Sequence, residues 1–172
     1  MRSAGLIACV IISAFVLAST VYAEGWYVRV SGSGYSAKDA VGTGYMISLG
    51  AGYRFNPYLA VGGSVGWAQY TAEEDDDTIN VYEVPVSLGV RADFTPESAF
   101  CPYVEAGPMA YFTKRGDEDW SNTWGGYVEG GLKFRVGGSG GVELWVRYSV
   151  PDYENMEDYR ITYGLGGSFS GR

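Results

Sequence analysis

Residues 82–94 read Tyr82-Glu-Val-Pro-Val-Ser-Leu-Gly-Val-Arg-Ala-Asp-Phe94, or YEVPVSLGVRADF. Tyr82, Val84, Val86, Leu88, Val90, Ala92 and Phe94 take the even places. Glu83, Pro85, Ser87, Gly89, Arg91 and Asp93 take the odd ones. A period of two is a β-strand with one apolar and one polar face. If the apolar face points inward, the strand belongs to a soluble β domain. If it points outward, the solvent around it is lipid.

Seven further segments alternate in the same way. They are Trp26 to Ser33, Gly44 to Phe55, Leu59 to Tyr70, Phe100 to Phe112, Trp124 to Val136, Val142 to Val150 and Tyr159 to Phe169. No helical period lies between them. Glycine makes up 26 of 172 residues, about twice the usual ~7%, and most of it sits inside these segments. The connections alternate in length. Gly34–Thr43, Thr71–Thr78, Thr113–Thr123 and Pro151–Asp158 are long; Asn56–Tyr58, Thr95–Ala99 and Gly137–Gly141 are short. In an up-and-down sheet this puts short turns at one end and long loops at the other, as in bacterial outer-membrane barrels.

The aromatics decide which face is out. On the apolar face, Trp26, Phe55, Phe94, Phe100, Phe134 and Phe169 fall at the short-turn ends. Tyr45, Trp67, Phe112, Trp124, Tyr148 and Tyr159 fall at the long-loop ends. Val, Ile, Leu and Ala fill the middles. Rings that are apolar on one side and polar on the other favour the two headgroup boundaries of a bilayer. A soluble core has no reason to sort them so.

The polar face carries Arg29, Arg54, Arg91, Lys133, Arg135, Arg147 and Arg160 against Glu83, Asp93, Glu105, Glu129 and Glu143. Mixed signs among Gly, Ser and Tyr suit a narrow lumen of ion pairs. In hydrocarbon an open sheet edge leaves backbone groups unpaired, so the sheet must close. The expected fold is therefore all-β: a closed, antiparallel, up-and-down, eight-stranded transmembrane β-barrel. At eight strands the interior is filled by side chains, so an open pore is not expected. Pro85 and Pro108 fall inside strands, where proline cannot donate to the ladder. A bulge or an irregular pairing is expected near each.

The ends agree. Met1-Arg2, an apolar run from Leu6 to Leu17 and Val21-Tyr22-Ala23 form a secretory signal pattern with cleavage after Ala23. Residues 1–23 are expected to be the signal and 24–172 the barrel. Leu6-Ile-Ala-Cys9 resembles a lipoprotein box, but only eight residues precede Cys9 and the apolar run continues past it. Losing Arg2 lowers the 12 basic residues to 11 against 20 acidic ones, a net charge of −9. So acidic a chain is a poor nucleic-acid binder. Cys101 then has no intrachain partner and reads as an inert thiol. The chain has no histidine, which removes the commonest general base and metal ligand together. No catalytic residue and no cofactor are expected.

The chain resembles the small eight-stranded outer-membrane β-barrels, the OmpA/OmpX-like and opacity-protein-like group. The resemblance spans the mature chain. Val84-Pro-Val-Ser-Leu-Gly-Val-Arg91, Pro102-Tyr-Val-Glu-Ala-Gly107 and Tyr163-Gly-Leu-Gly-Gly-Ser-Phe169 carry it, in that order. It implies an outer-membrane location, contact with outer-membrane lipid, and biogenesis through periplasmic chaperones and the barrel-assembly machinery, as a monomer. Members act as adhesins, envelope-stabilising proteins or immune-evasion factors. One departure stands out. Such barrels usually end on an aromatic residue, whereas here Ser170-Gly171-Arg172 follow Phe169, and Gly167 replaces an apolar side chain.

Glu73, Glu74, Asp75, Asp76 and Asp77 make the second long loop acidic, and Asp152, Glu154, Glu157 and Asp158 do the same for the fourth. Such runs are usually solvated, repelling loops. They also suit a divalent cation or a basic extracellular partner, although an EF-hand spacing is missing. Trp124 is expected in the belt and Trp120 in loop packing. Gly137-Gly-Ser-Gly-Gly141 precedes no helix and so is no phosphate cradle. Three readings remain: a non-enzymatic outer-membrane barrel with an envelope or adhesive role, a membrane-embedded lipid-modifying enzyme, and a secreted lipocalin-like barrel. The second is disfavoured by the missing histidine. The third needs an apolar lumen.

Overall fold

The computed structural model describes residues 25–38, 40–74, 77–116, 118–136, 140–153 and 158–170, with Glu74 and Asp77 described by backbone alone. The expected signal segment, residues 1–23, lies outside them, as do residues 75–76, 137–139, 154–157 and 171–172. Eight strands follow one another: β1 (Trp26–Ala37), β2 (Gly44–Arg54), β3 (Leu59–Glu74), β4 (Asp77–Asp93), β5 (Phe100–Arg115), β6 (Ser121–Val136), β7 (Gly140–Val150) and β8 (Arg160–Ser170). Each pairs antiparallel with its chain neighbours, and β8 returns to β1, closing the barrel.

The register sets the barrel's shape. Trp26 pairs with Tyr53, then the path runs through Val61, Val90, Ala106, Val128, Tyr148 and Ile161. It re-enters β1 at Ser36, ten residues from where it began. With a rise of ~3.3 Å per residue and ~4.8 Å between strands, this stagger tilts each strand about 41° and gives a wall radius of about 8 Å. A band about 25 Å tall then takes roughly ten residues per strand.

The apolar faces point outward. In the 82–94 stretch Leu88 is 58% exposed and Val90 60%, while Glu83, Ser87, Arg91 and Asp93 are buried. The same parity holds around the barrel, from Val30 to Leu144 and Leu165. All twelve aromatics of the two expected belts lie on the outer face, half-buried at Phe134 and Tyr159 and exposed elsewhere. Ring pairs tie them together: Trp26–Tyr53 and Phe100–Phe134 at the turn end, and Trp67–Tyr82 and Tyr148–Tyr159 at the loop end. Trp120, expected in loop packing, is exposed and reaches a belt residue. Its ring lies 6.4 Å from Trp67, so it extends the loop-end belt.

The structure adds detail at three places. First, β3 to β6 run for 16, 17, 16 and 16 residues. Most of Thr71–Thr78 and several residues at each end of Thr113–Thr123 are therefore strand rather than loop. These four strands rise past the belt as a wall.

Second, of the bulge or irregular pairing expected near each proline, the structure shows the irregular pairing. The β3–β4 ladder lapses for two rungs at Gly66–Trp67 opposite Val84–Pro85 and resumes in the same register. The β4–β5 ladder lapses likewise at Leu88–Gly89 opposite Gly107–Pro108. Each proline keeps its pairing on the other side, Pro85 with Tyr111 and Pro108 with Gly126. Its missing N–H is confined to one seam.

Third, Met109, not singled out in the sequence, is buried on the inner face with Tyr111 and Tyr127.

Candidate functional site

Because side chains alternate in and out, every second residue of eight strands converges on the interior of a wall about 8 Å in radius. Its middle is an ion-pair network. Arg29 on β1 donates to Glu129 on β6 at 2.7 Å, and Arg147 on β7 reaches the other Glu129 oxygen at 2.7 Å. Arg29 also lies 3.7 Å from both Glu105 and Glu143. Arg91 bonds Glu143 at 3.0 Å and Asp93 at 2.8 Å, and Asp93 takes a second bond from Arg54. Tyrosines complete it: Tyr103 donates to Glu129 at 2.9 Å and Tyr127 to Glu105 at 2.6 Å. The guanidinium of Arg91 lies 3.6 Å over the Tyr103 ring, and that of Arg147 lies 4.5 Å over Tyr127. A buried charge persists only when paired in this way.

A second cluster lies nearer the loops. Glu83 accepts from Arg160 at 3.0 Å, from Tyr70 at 3.1 Å and from Tyr35, and Arg160 also bonds Asp158. Above it the interior turns apolar. Tyr35, Ala37, Tyr70, Ala72 and Val81 are buried together, with Ala40 and Ile79 against them. The β1–β2 loop folds onto β3 here. Ala40 bridges Ala72, and Val41 N–H donates to Thr71 O at 2.7 Å. An apolar cap thus closes the loop end, a feature absent from the sequence reading.

Of the twelve charged residues expected on the lumen face, ten meet in these clusters: Arg29, Arg54, Glu83, Arg91, Asp93, Glu105, Glu129, Glu143, Arg147 and Arg160. Lys133 faces the lumen half-buried, opposite Glu143 in the β6–β7 register. Arg135 does not join the network. It is exposed at the turn-end mouth, where β6 leaves the barrel. The expected acidic site is only partly in view. Glu73 is exposed, the side chains of Glu74 and Asp77 are not described, and Asp75 and Asp76 lie outside the described residues. Cys101 is buried with a free thiol. The polar lumen overturns the lipocalin-like reading, which needs an apolar interior and a wet exterior.

The sequence profile of the outer membrane protein beta-barrel domain family matches residues 4–169. The chain belongs to that family. Its place is accordingly the outer membrane, with the apolar face against lipid. No curated protein sequence matches the chain. Among solved structures it is similar to Neisserial surface protein A (NspA), at 18% identity and TM-score 0.66, over 86% of this chain and 97% of that one. It is also similar to the attachment invasion locus protein Ail of Yersinia pestis, solved with the heparin analogue sucrose octasulfate, at 18% identity and TM-score 0.62, over 86% and 99%. A third is the outer membrane enzyme PagL, at 18% identity and TM-score 0.57, over 83% and 99%. At such identities the likeness is one of fold.

Proposed function

We propose that this outer-membrane barrel works by display: a non-enzymatic envelope protein whose closed interior braces the wall and whose acidic rim meets a partner outside the cell. The observation that carries the reading is the sealed lumen, filled by the Arg29–Glu129–Arg147 network and capped by Tyr35, Ala72 and Val81.

The rim supplies the contact surface. Glu73, Glu118 and Asp119 are exposed there and Asp152 and Asp158 half-buried, against Lys38, Lys114 and Arg115. The sequence adds Glu74, Asp75, Asp76, Asp77, Asp117, Glu154 and Glu157. Complementary charge selects partners and speeds their encounter. A basic polypeptide, or a surface bridged by a divalent cation, is favoured over a polyanion such as the one bound in the Ail crystal.

Two assays test this. Cells displaying the wild type should adhere to polylysine surfaces several-fold better than cells displaying the Glu73→Gln, Glu118→Gln, Asp119→Asn triple variant. Equal adhesion would remove the rim from the account. The second assay addresses the lipid-modifying enzyme, a reading that the PagL fold keeps in view. Purified barrel in vesicles should release no label from labelled glycolipid or phospholipid. Steady turnover would replace display with catalysis.

A further inference from the structure

At the turn end, away from the rim, the barrel mouth opens into a cavity of about 370 Å³. That lies within the ~300–1,000 Å³ typical of small-ligand sites. Its walls carry Arg54, Lys133 and Arg135, with Asp93 and Ser170 beside them and Glu97 on the β4–β5 turn. The charges do not cancel within the cavity. Asp93 is already shared by Arg54 and Arg91. Glu97 is exposed to solvent. Lys133 and Arg135 form none of the ion pairs among the described residues.

A second observation points the same way. Arg91 is 2% exposed, and its Nη2 has no hydrogen-bond partner. In a planar guanidinium Nη2 shares an edge with Nε–H. Here Nε–H is directed at Asp93, which lines the cavity. A buried donor without a partner is costly, and an acceptor entering from the mouth would satisfy it.

We propose that the turn-end mouth is a binding site for a small oxyanion, a phosphate or a carboxylate, presented from the periplasm. Lys133 and Arg135 supply the unpaired positive charge. Arg54 supplies further positive charge on the same wall, and Arg91 stands behind it, bonded to the Asp93 that lines the cavity. Guanidinium forks suit planar and tetrahedral oxyanions. The short turns face the periplasm in barrels of this kind. The two ligand sources there are free phosphate and the terminal carboxylate of a cell-wall peptide.

The test is a solution NMR titration of the full folded barrel in a neutral detergent. Inorganic phosphate and N-acetyl-D-alanyl-D-alanine are added separately, each against sodium chloride at matched ionic strength. Saturable shifts at Lys133, Arg135 and Ser170 are expected with at least one probe. Saturation by phosphate alone assigns free phosphate. Saturation by the peptide alone assigns the cell wall. Saturation by both assigns an oxyanion site indifferent to source. Arg135→Gln, at an exposed position where folding is not at risk, should weaken the saturating probe about tenfold, and Lys114→Gln at the other end should leave it unchanged. Linear shifts with both probes, equal to those with chloride, would overturn the proposal. So would undiminished binding in Arg135→Gln.

Discussion

Arg29 on β1 and Glu129 on β6, a hundred residues apart in sequence, meet at 2.7 Å in the middle of the lumen. Their strands are not neighbours; β7 and β8 lie between them. The bond therefore spans the interior and fixes the width of the barrel from inside. Glu129 is fully buried, and it holds Arg147 and Tyr103 as well.

Removing Glu129 should therefore be costly. In Glu129→Ala the guanidinium of Arg147 loses the carboxylate it bonds, and Arg29 keeps only its 3.7 Å contacts. Breaking a buried pair from one side costs about 3–5 kcal/mol. Reversible urea unfolding in lipid vesicles measures it. A loss under about 1 kcal/mol, the scale of an exposed pair, would mean that the network is wet and dispensable.

The two faces should respond oppositely to charge. Leu144 and Val86 are exposed on the outer wall. Leu144→Arg or Val86→Arg should cost about 2–4 kcal/mol near the midplane. Thr162→Ser on the inner wall, which keeps the hydroxyl, should cost far less. Similar losses on both faces, read by the same unfolding assay, would contradict the outward parity.

Orientation is testable with single cysteines in a Cys101→Ser background. Glu73 lies at the loop end and Glu97 on the β4–β5 turn, and both are exposed. An impermeant maleimide on intact cells should label Glu73→Cys and leave Glu97→Cys unlabelled until the envelope is broken. The reverse pattern would turn the barrel over.

Trp120 should sit at the headgroup level with Trp67. Trp120→Phe should therefore remove a component of tryptophan emission that is quenched more strongly by headgroup-labelled than by chain-centre-labelled lipid. Loss of a component insensitive to either quencher would place Trp120 in open water instead.

Within the bilayer the fold was legible, because lipid outside and ion pairs inside make the strands alternate. Val84, Val86, Leu88 and Val90 against Glu83, Ser87 and Arg91 are enough to read it. Above the belt the signal inverts. There water meets the outer face, and the inner face is a dry cap, so Thr71, Glu73, Thr78 and Asn80 point out while Tyr70, Ala72, Ile79 and Val81 point in. An apolar-out template passes over such residues and reads them as loop. That is why β3 and β4 looked four or five residues shorter than they are. Parity also placed eleven of the twelve charges correctly, since it fixes the face. It could not place Arg135, because parity does not say where the lumen ends. Nor could it pair Arg29 with Glu129, since contact across the lumen depends on the stagger of ten residues. That stagger follows from register, and a strand sequence does not state it.

The central claim is a lumen closed by packed charge and an apolar cap, and electrical recording of the wild-type barrel in planar bilayers tests it most directly. The account predicts a flat baseline with no stable conductance steps, because the Arg29–Glu129–Arg147 network and the Tyr35–Ala72–Val81 cap fill the bore. A stable, wide and weakly selective pore would contradict it and make the protein a channel.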